Sequence, residues 1–209
     1  MHYTDAQIDA IRERVRGSMS DFRFTHTAEV EKMAARIGEL YAPDKIDILR
    51  VAALLHDVTK ELAPTEHIEM LRDAGEDVST LELASHKTFH ARTAGYAILR
   101  DYPEFANEEL LAAVRYHTTG RADMSICEKI IFLADYIDES RKFEDCVRLR
   151  NYFWDAHPEN MSESERERHL LQTILIGLDT TLVSLIEEGA PTDPDSVNAR
   201  NFIIKQLKK

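Results

Sequence analysis

Apolar residues recur along this chain with the spacing of α-helices, and no segment alternates strongly as a β-strand would. One apolar stripe consists of Val30, Met33, Ala34, Ile37 and Leu40. His26 lies one turn before this stripe, so the helical period predicts that its side chain shares the inward-facing side. An opening helix is expected around residues 5–18.

A second pattern is the apolar run over residues 46–55, which follows Pro43 and ends at His56-Asp57. Burying a histidine and an aspartate there is costly unless both have partners. A divalent metal is a natural partner, because a carboxylate can bridge two cations while an imidazole binds one. Lys60 follows His56 by four residues, so a continuing helix would place it on the same face as the pair.

Further helices are predicted from apolar periodicity and from residues that start or stop helices. Four of them span residues 64–75, 88–100 with His90 at its start, 108–117 with His117 at its end, and 194–208. One more begins at the capping pair Ser125/Glu128. A long helix begins at the capping pair Ser164/Glu167 and is stopped by Gly189 and Pro191. We therefore expect an all-α helical bundle. The domain would span residues 1–209, with a core at about 20–150 and additional C-terminal helices at 160–209.

Composition limits the classes of partner. The chain has 209 residues, a 44% hydrophobic content and a net charge of -12. This charge argues against binding nucleic acid or an anionic membrane surface in general. A small phosphorylated substrate remains compatible with it, because a bound metal can reverse the local field.

From its cysteine usage and the lack of a recognisable targeting signal we expect a cytoplasmic protein. Cys127 and Cys146 form no disulfide framework and are expected to be reduced. We find no apolar stretch of membrane-spanning length and no N-terminal signal region. The histidines at positions 2, 67, 157 and 169 lie in polar segments and need no function.

Six residues at the inner edges or ends of the predicted helices could hold two metal ions. The hypothesis places His26, His56, Asp57 and Asp135 around one ion and His90 and His117 around the other, with Asp57 bridging. Mixed imidazole and carboxylate ligands suit iron, manganese, cobalt or zinc. Taken singly, His117 could be a helix-end dipole partner and Asp135 a solvated carboxylate, so the joint pattern carries the prediction. His86 competes with His90 as a ligand.

The order His, His-Asp, His, His, Asp resembles the HD-domain superfamily of metal-dependent phosphohydrolases. The segments that carry the resemblance are Arg23-Phe24-Thr25-His26, residues 53–60 around His56-Asp57, residues 89–95 from Phe89-His90, residues 115–121 around Tyr116-His117-Thr118-Thr119-Gly120, and residues 133–138 around Ala134-Asp135-Tyr136-Ile137. They are similar to the YqeK-like branch of bacterial symmetrical bis(5'-nucleosyl)-tetraphosphatases. The similarity runs from about Arg23 to Arg150 and includes residues 193–201.

This resemblance implies an all-helical fold with a di-iron-type centre, held by the same six residues. The implied reaction splits diadenosine tetraphosphate, a small dinucleoside polyphosphate, into two molecules of ADP. One departure is Ala91-Arg92-Thr93 after His90, where a small residue, proline and valine are expected in the family.

Metal chemistry is also favoured because the chain shows no Ser/His/Asp triad and no Gly-rich phosphate loop. Catalytic roles fall to Asp57 and to Lys60, the best candidate for a group that stabilises phosphate charge; the alternative for Lys60 is a solvated lysine at a helix C-terminus. The predicted substrate-binding residues are Arg23, Lys60, Thr118, Thr119 and Arg141, with Arg121 as a weaker choice.

Two alternatives stay open at this stage: an HD-type phosphohydrolase acting on another nucleotide, and a non-catalytic metal or nucleotide sensor. The complete set of six ligands favours an enzyme. No nucleic-acid or membrane partner is expected, and the sequence leaves a homodimer open.

Overall fold

The computed structural model describes residues 2–78 and 88–208, and over these ranges the chain forms ten α-helices and no strand. The helices are α1 Asp5–Arg16, α2 Asp21–Tyr41, α3 Ile46–Leu55, α4 Pro64–Asp73, α5 Phe89–Asp101, α6 Glu108–Arg115, α7 Ile126–Ile137, α8 Glu144–Asp155, α9 Glu163–Glu187 and α10 Pro194–Leu207. Short 3-10 turns occur at Pro43–Lys45, Pro103–Phe105 and Pro158–Asn160. The all-α prediction is confirmed.

Helix starts follow the capping chemistry of the sequence, with one correction. Ser125 caps α7 and forms the predicted reciprocal pair with Glu128. The long helix α9 is instead capped by Ser162, whose pair is Glu165, and not by Ser164 with Glu167. Ser162 has an extended backbone, and Ser164 already lies in the first helical turn.

Helix α8 was not predicted from the sequence. Its N-cap is Phe143, which has no side chain able to accept a hydrogen bond from the first turn. Its buried residues are Cys146, Leu149, Arg150 and Phe153, so a charged residue interrupts the apolar face. The helix is stabilised by packing against α7 and α9 and carries little local signal.

The central packing unit is α2 against α3 and α7, the helices that bring His26, His56 and Asp135 together. Gly38 permits a close approach of α2 to α3, because a Cβ built on it would lie 2.7 Å from Cδ1 of Leu49. Both helices contribute fully buried residues to one apolar core. The ends of these helices are therefore fixed by packing around the polar cluster.

The C-terminal helices pack onto this unit, with α9 contacting α7, α8 and α10. By length and composition α9 alone among the described helices could cross a membrane, which corrects the expectation that no stretch is long enough. Core helices pass the same test, and Leu170, Ile174 and Leu178 of α9 are buried in the apolar core.

Candidate metal centre

All six predicted ligand residues converge on one polar cluster inside the bundle. His26 lies in the second turn of α2, His90 in the first turn of α5 and Asp135 in the last turn of α7. His56 and Asp57 follow the last residue of α3, and His117 lies two residues after α6. Five of the six are buried, and the side chain of Asp135 is 16% exposed.

The regular α-helix ends before His56, which corrects the predicted common helical face of His56, Asp57 and Lys60. Helix α3 ends at Leu55, and the backbone then forms turns in which the Lys60 N–H donates to the carbonyl of Asp57 at 2.9 Å. Lys60 nevertheless reaches the cluster, with Nζ 3.0 Å from Nε2 of His90. Turn geometry, and not helical periodicity, places the three side chains together.

Asp57 lies between two groups of imidazoles. Its Oδ1 is 3.3 Å from Nε2 of His90 and 3.8 Å from Nε2 of His117. Its Oδ2 is 3.5 Å from Nε2 of His56 and 3.8 Å from Nε2 of His26. One carboxylate oxygen thus faces each group, which is the arrangement that a bridging ligand requires.

Backbone carbonyls orient two of the imidazoles. Nδ1 of His56 donates to the carbonyl of Ala53 at 2.6 Å, and Nδ1 of His117 donates to the carbonyl of Val114 at 2.7 Å. Since Nδ1 carries the proton in both rings, Nε2 keeps its lone pair toward the cluster. This is the tautomer that a metal ligand needs.

Several buried polar atoms in the cluster have no hydrogen-bond partner. Among the described residues these include Nε2 of His26, Nε2 of His56 and Oδ1 of Asp57, whose polar contacts are ion pairs with other groups of the cluster. Unpartnered polar atoms are costly in a protein interior, so the arrangement fits a bound cation. Ligand atoms lie within 4.8 Å of one another in two groups, His26/His56/Asp135 and His56/Asp57/His117.

The predicted division of ligands between the two ions only partly matches these groups. The first contains three of the residues assigned to one ion, and Asp135 Oδ1 lies 3.0 Å from Nε2 of His26 and 3.7 Å from Nε2 of His56. The second joins His117 to His56, whereas His117 was expected beside His90. His90 and His117 do meet, with their Nε2 atoms 3.1 Å apart.

Burial sets the protonation of most histidines in the cluster. It lowers the pKa of His56 and of His90, and it lowers the pKa of His117 to about 4. These imidazoles are therefore neutral at pH 7, as metal ligands must be. Burial also lowers the pKa of the Lys60 ammonium.

His26 behaves in the opposite way. Burial opposes its protonation, but contacts with Asp135 and Asp138 outweigh that effect and raise its pKa to about 9. Burial likewise opposes ionisation of Asp135, yet the Arg141 guanidinium beside it holds the pKa of that carboxyl well below its usual range. The Asp135 side of the cluster thus carries a tight network of charges.

Asp138 is a functional candidate that the sequence reasoning missed. It is buried, and its Oδ2 lies 3.3 Å from Nδ1 of His26. Ser140 supports it by donating its backbone N–H to Asp138 Oδ1 at 2.8 Å, and Ser140 Oγ lies 3.2 Å from Nδ1 of His26. The available signal was a second carboxylate three residues after Asp135.

Buried Arg150 from α8 holds the loop that carries Asp138. It donates to the carbonyl of Ile137 at 2.7 Å, to the carbonyl of Arg141 at 2.8 Å and also to the carbonyl of Asp138. These bonds satisfy backbone groups at the end of α7. An unpredicted helix therefore supports one side of the candidate metal centre.

The predicted phosphate-binding cations lie on the cluster. Nη1 of Arg23 is 2.8 Å from Oδ2 of Asp57, and Nη2 of Arg141 is 2.6 Å from Oδ1 of Asp135. Arg121 instead makes two bonds to buried Glu128, which indicates a structural role.

The two threonines of the polar turn differ. Oγ1 of Thr118 lies 3.3 Å from Nε2 of His90, at the cluster. The hydroxyl of Thr119 is buried and donates to the carbonyl of Gly120 at 2.9 Å. Thr118 thus has the position expected of a substrate contact, whereas Thr119 stabilises the turn.

His67 and His169 are buried, which corrects their expected polar surroundings. Nδ1 of His67 lies 2.8 Å from the hydroxyl of Thr93, which donates to Thr59 at 3.0 Å. Thr59 in turn donates to the carbonyl of His90 at 3.0 Å. This series of hydrogen bonds links α4 to the first turn of α5.

The competing candidate His86 lies outside the described residues.

A family model, two relatives of known sequence and a solved structure are similar to this chain. The HD domain family matches residues 23–140. Two proteins named "Bis(5'-nucleosyl)-tetraphosphatase, symmetrical" are each 28% identical to this chain. The alignment with the protein of Halalkalibacterium halodurans covers 93% of this chain and 95% of that protein. The alignment with the protein of Bacillus subtilis covers 91% of this chain and 94% of that protein. The crystal structure of a "predicted HD superfamily hydrolase involved in NAD metabolism", from Clostridium acetobutylicum, has a TM-score of 0.81 at 25% identity, covering 99% of this chain and 100% of that one.

Proposed function

The chain belongs to the HD domain family, and on that premise we propose that it hydrolyses diadenosine tetraphosphate symmetrically to two molecules of ADP. The observation that carries the proposal is the alignment over more than nine-tenths of the chain with two proteins named for this activity. The converging cluster of histidines and aspartates supports a metal-dependent reaction. The chain is accordingly an enzyme that cleaves a phosphoanhydride bond.

The metal ligands in this proposal are His26, His56, Asp57, His90, His117 and Asp135, with Asp57 shared between two ions. The ions are divalent transition metals, iron first, with manganese, cobalt and zinc as alternatives. When bound, such ions supply Lewis-acid polarisation of phosphate oxygens and activation of water. Neutral imidazoles with Nε2 directed into the cluster support this assignment.

The cationic side chains stabilise charge on the phosphates. Lys60, Arg23 and Arg141 reach the cluster from three different elements and contact His90, Asp57 and Asp135 respectively. In phosphoryl transfer, preorganised cations stabilise negative charge that develops on the transferred group and on the departing nucleotide. Thr118 adds a hydroxyl beside His90.

The negative net charge of the chain bears on where a polyanionic substrate would bind. With a net charge of -12, the cationic groups of the cluster are the favoured place for a polyanionic small molecule. We propose a cytoplasmic location for the enzyme.

A second candidate function is hydrolysis of another nucleotide. It is favoured only by the similarity to the Clostridium hydrolase, whose name assigns that protein to NAD metabolism.

The test is product analysis with diadenosine tetraphosphate, comparing protein loaded with iron, manganese or cobalt. ADP should be the only nucleotide product, and in oxygen-18 water one of the two ADP molecules should carry the label. Asp57→Ala should lose metal and activity and keep a helical circular dichroism spectrum. Formation of AMP and ATP would contradict symmetrical cleavage, and full activity of metal-free Asp57→Ala would contradict the site.

A further inference from the structure

Two phenylalanines differ from all the others in this chain by their exposure. The sequence contains eight phenylalanines, all within the described residues. Six are buried or partly buried, whereas Phe22 is 80% exposed and Phe143 is 73% exposed. Single exposed apolar residues are common on protein surfaces, so exposure alone gives them no function.

Their position relative to the metal centre is the informative feature. Phe22 immediately precedes Arg23, and the Arg23 guanidinium carbon lies 6.0 Å from the centre of the Phe22 ring. The same guanidinium reaches inward to Oδ2 of Asp57 at 2.8 Å. An aromatic face, a cation and a candidate metal ligand therefore follow one another from the surface into the cluster.

A second exposed phenylalanine follows a second arginine of the cluster along the sequence. Phe143 lies two residues after Arg141, whose Nη2 is 2.6 Å from Oδ1 of Asp135. Each exposed phenylalanine thus lies within two residues, along the sequence, of an arginine that contacts a carboxylate of the cluster. A nucleotide has the matching order of groups, with phosphates at one end and a flat aromatic base at the other.

We infer that Phe22 and Phe143 are stacking platforms for the purine bases of the substrate, a role that rests on the proposed dinucleotide hydrolysis. Stacking on an aromatic side chain tolerates different bases, because every base has a π-face. Arg23 adds a cation beside the base-binding face of Phe22. The arginines would hold phosphates while the phenylalanines hold bases, so the residues select a nucleoside-bearing polyphosphate over inorganic polyphosphate.

The experiment compares binding of ADP and of inorganic pyrophosphate to manganese-loaded protein by isothermal titration calorimetry. Phe22→Ala and Phe143→Ala should each weaken ADP binding on the order of 10-fold, the scale of one lost stacking contact. Pyrophosphate binding should change less than 2-fold, and Phe22→Trp should restore ADP binding. Ile186→Ala is the matched control, since Ile186 is a 68% exposed apolar residue on α9.

Kinetics with diadenosine tetraphosphate provide a second measurement: KM should rise in both alanine variants while kcat is retained. Equal ADP binding by a variant and the wild type overturns the assignment of that phenylalanine. So does equal weakening of ADP and pyrophosphate, or a fall in oligomeric mass, which would make the residue a contact between copies. If the wild type cleaves no dinucleotide, the proposed function fails, and the ADP and pyrophosphate titrations still decide the stacking role.

Discussion

The carboxylate of Asp138 lies 3.3 Å from Nδ1 of His26, while Asp135 lies 3.0 Å from Nε2 of the same ring. Both ring nitrogens of His26 therefore face a carboxylate. A carboxylate behind a metal-binding imidazole fixes the orientation of the ring and increases its basicity. Asp138 would act on the metal through His26 without touching it.

Replacing Asp138 should test this relationship. Asp138→Asn keeps the size of the side chain and removes its charge, and we expect metal affinity to fall about 10- to 100-fold, as is typical for partners behind a metal ligand. Chelator competition measures the affinity. Asp145→Asn is the control, because the side chain of Asp145 is 52% exposed and pairs with Arg148. Unchanged affinity in Asp138→Asn would remove the positioning role.

Metal binding should depend on pH through His26. In metal-free protein the pKa of His26 is raised to about 9, so the ring carries a proton at pH 7 that must leave when a metal binds. Affinity should therefore rise up to about tenfold per pH unit between pH 7 and 9 and then level off. Calorimetry in buffers of different ionisation enthalpy counts the released proton. Asp138→Asn should weaken this dependence, and a flat profile in the wild type would contradict it.

The same titration affects the stability of the metal-free protein. A raised pKa in the folded state means that the folded protein binds more protons than the unfolded chain between about pH 6.5 and 9. The contribution of His26 to stability is therefore complete below about pH 6.5 and is lost as the pH rises through 9. Urea unfolding with a chelator present, for the wild type and His26→Ala, isolates this contribution.

Lys60→Ala should lower kcat about 100-fold, the scale of one lost electrostatic donor. The ammonium lies 3.0 Å from Nε2 of His90, within reach of a phosphate held at the cluster. Metal content, measured by elemental analysis, should stay unchanged. Lys32→Ala serves as the control, because the side chain of Lys32 is 71% exposed and pairs with Glu29 on the surface. A wild-type rate in Lys60→Ala would show that this ammonium does not stabilise the transition state.

Two glycine substitutions should change stability in opposite directions. Ala at either helical glycine gains about 1 kcal/mol of helix propensity. At Gly38 the added Cβ would lie 2.7 Å from Cδ1 of fully buried Leu49, and overpacking costs about 1–3 kcal/mol, so Gly38→Ala should be net destabilising. At Gly95 the Cβ meets no described atom within 4 Å, so Gly95→Ala should stabilise. Urea unfolding measures both, and equal effects would contradict the close contact of α2 with α3.

Much of the fold was predictable because helical periodicity and capping residues are local signals. The stripe containing Val30 and Ile37 lies on a helix, and the capping pair at Ser125 begins one, as expected. Helix α8 escaped prediction because Phe143 cannot cap it and buried Arg150 interrupts its apolar face. Its stability comes from packing, which a local pattern does not report.

The candidate site was predictable to the level of which residues meet, and less so in how they are held. His26, His90 and Asp135 lie on helix faces whose period is readable from the sequence. The contacts of Asp138 and Lys60 depend on turns, where spacing does not determine direction. His67 was misjudged because a polar sequence neighbourhood does not show burial beneath another helix.

The three backbone carbonyls held by Arg150 show that the catalytic unit and the family match have different boundaries. The HD match ends at residue 140, ten residues before Arg150, yet that guanidinium secures the loop bearing Asp138. A fragment ending at residue 140 would keep every proposed metal ligand. It would lose Arg150, which holds the loop whose Asp138 contacts the ligand His26. Helix α8 is thus part of the unit that holds the candidate metal centre, and transplanting this site into another protein would require carrying α8 along with it.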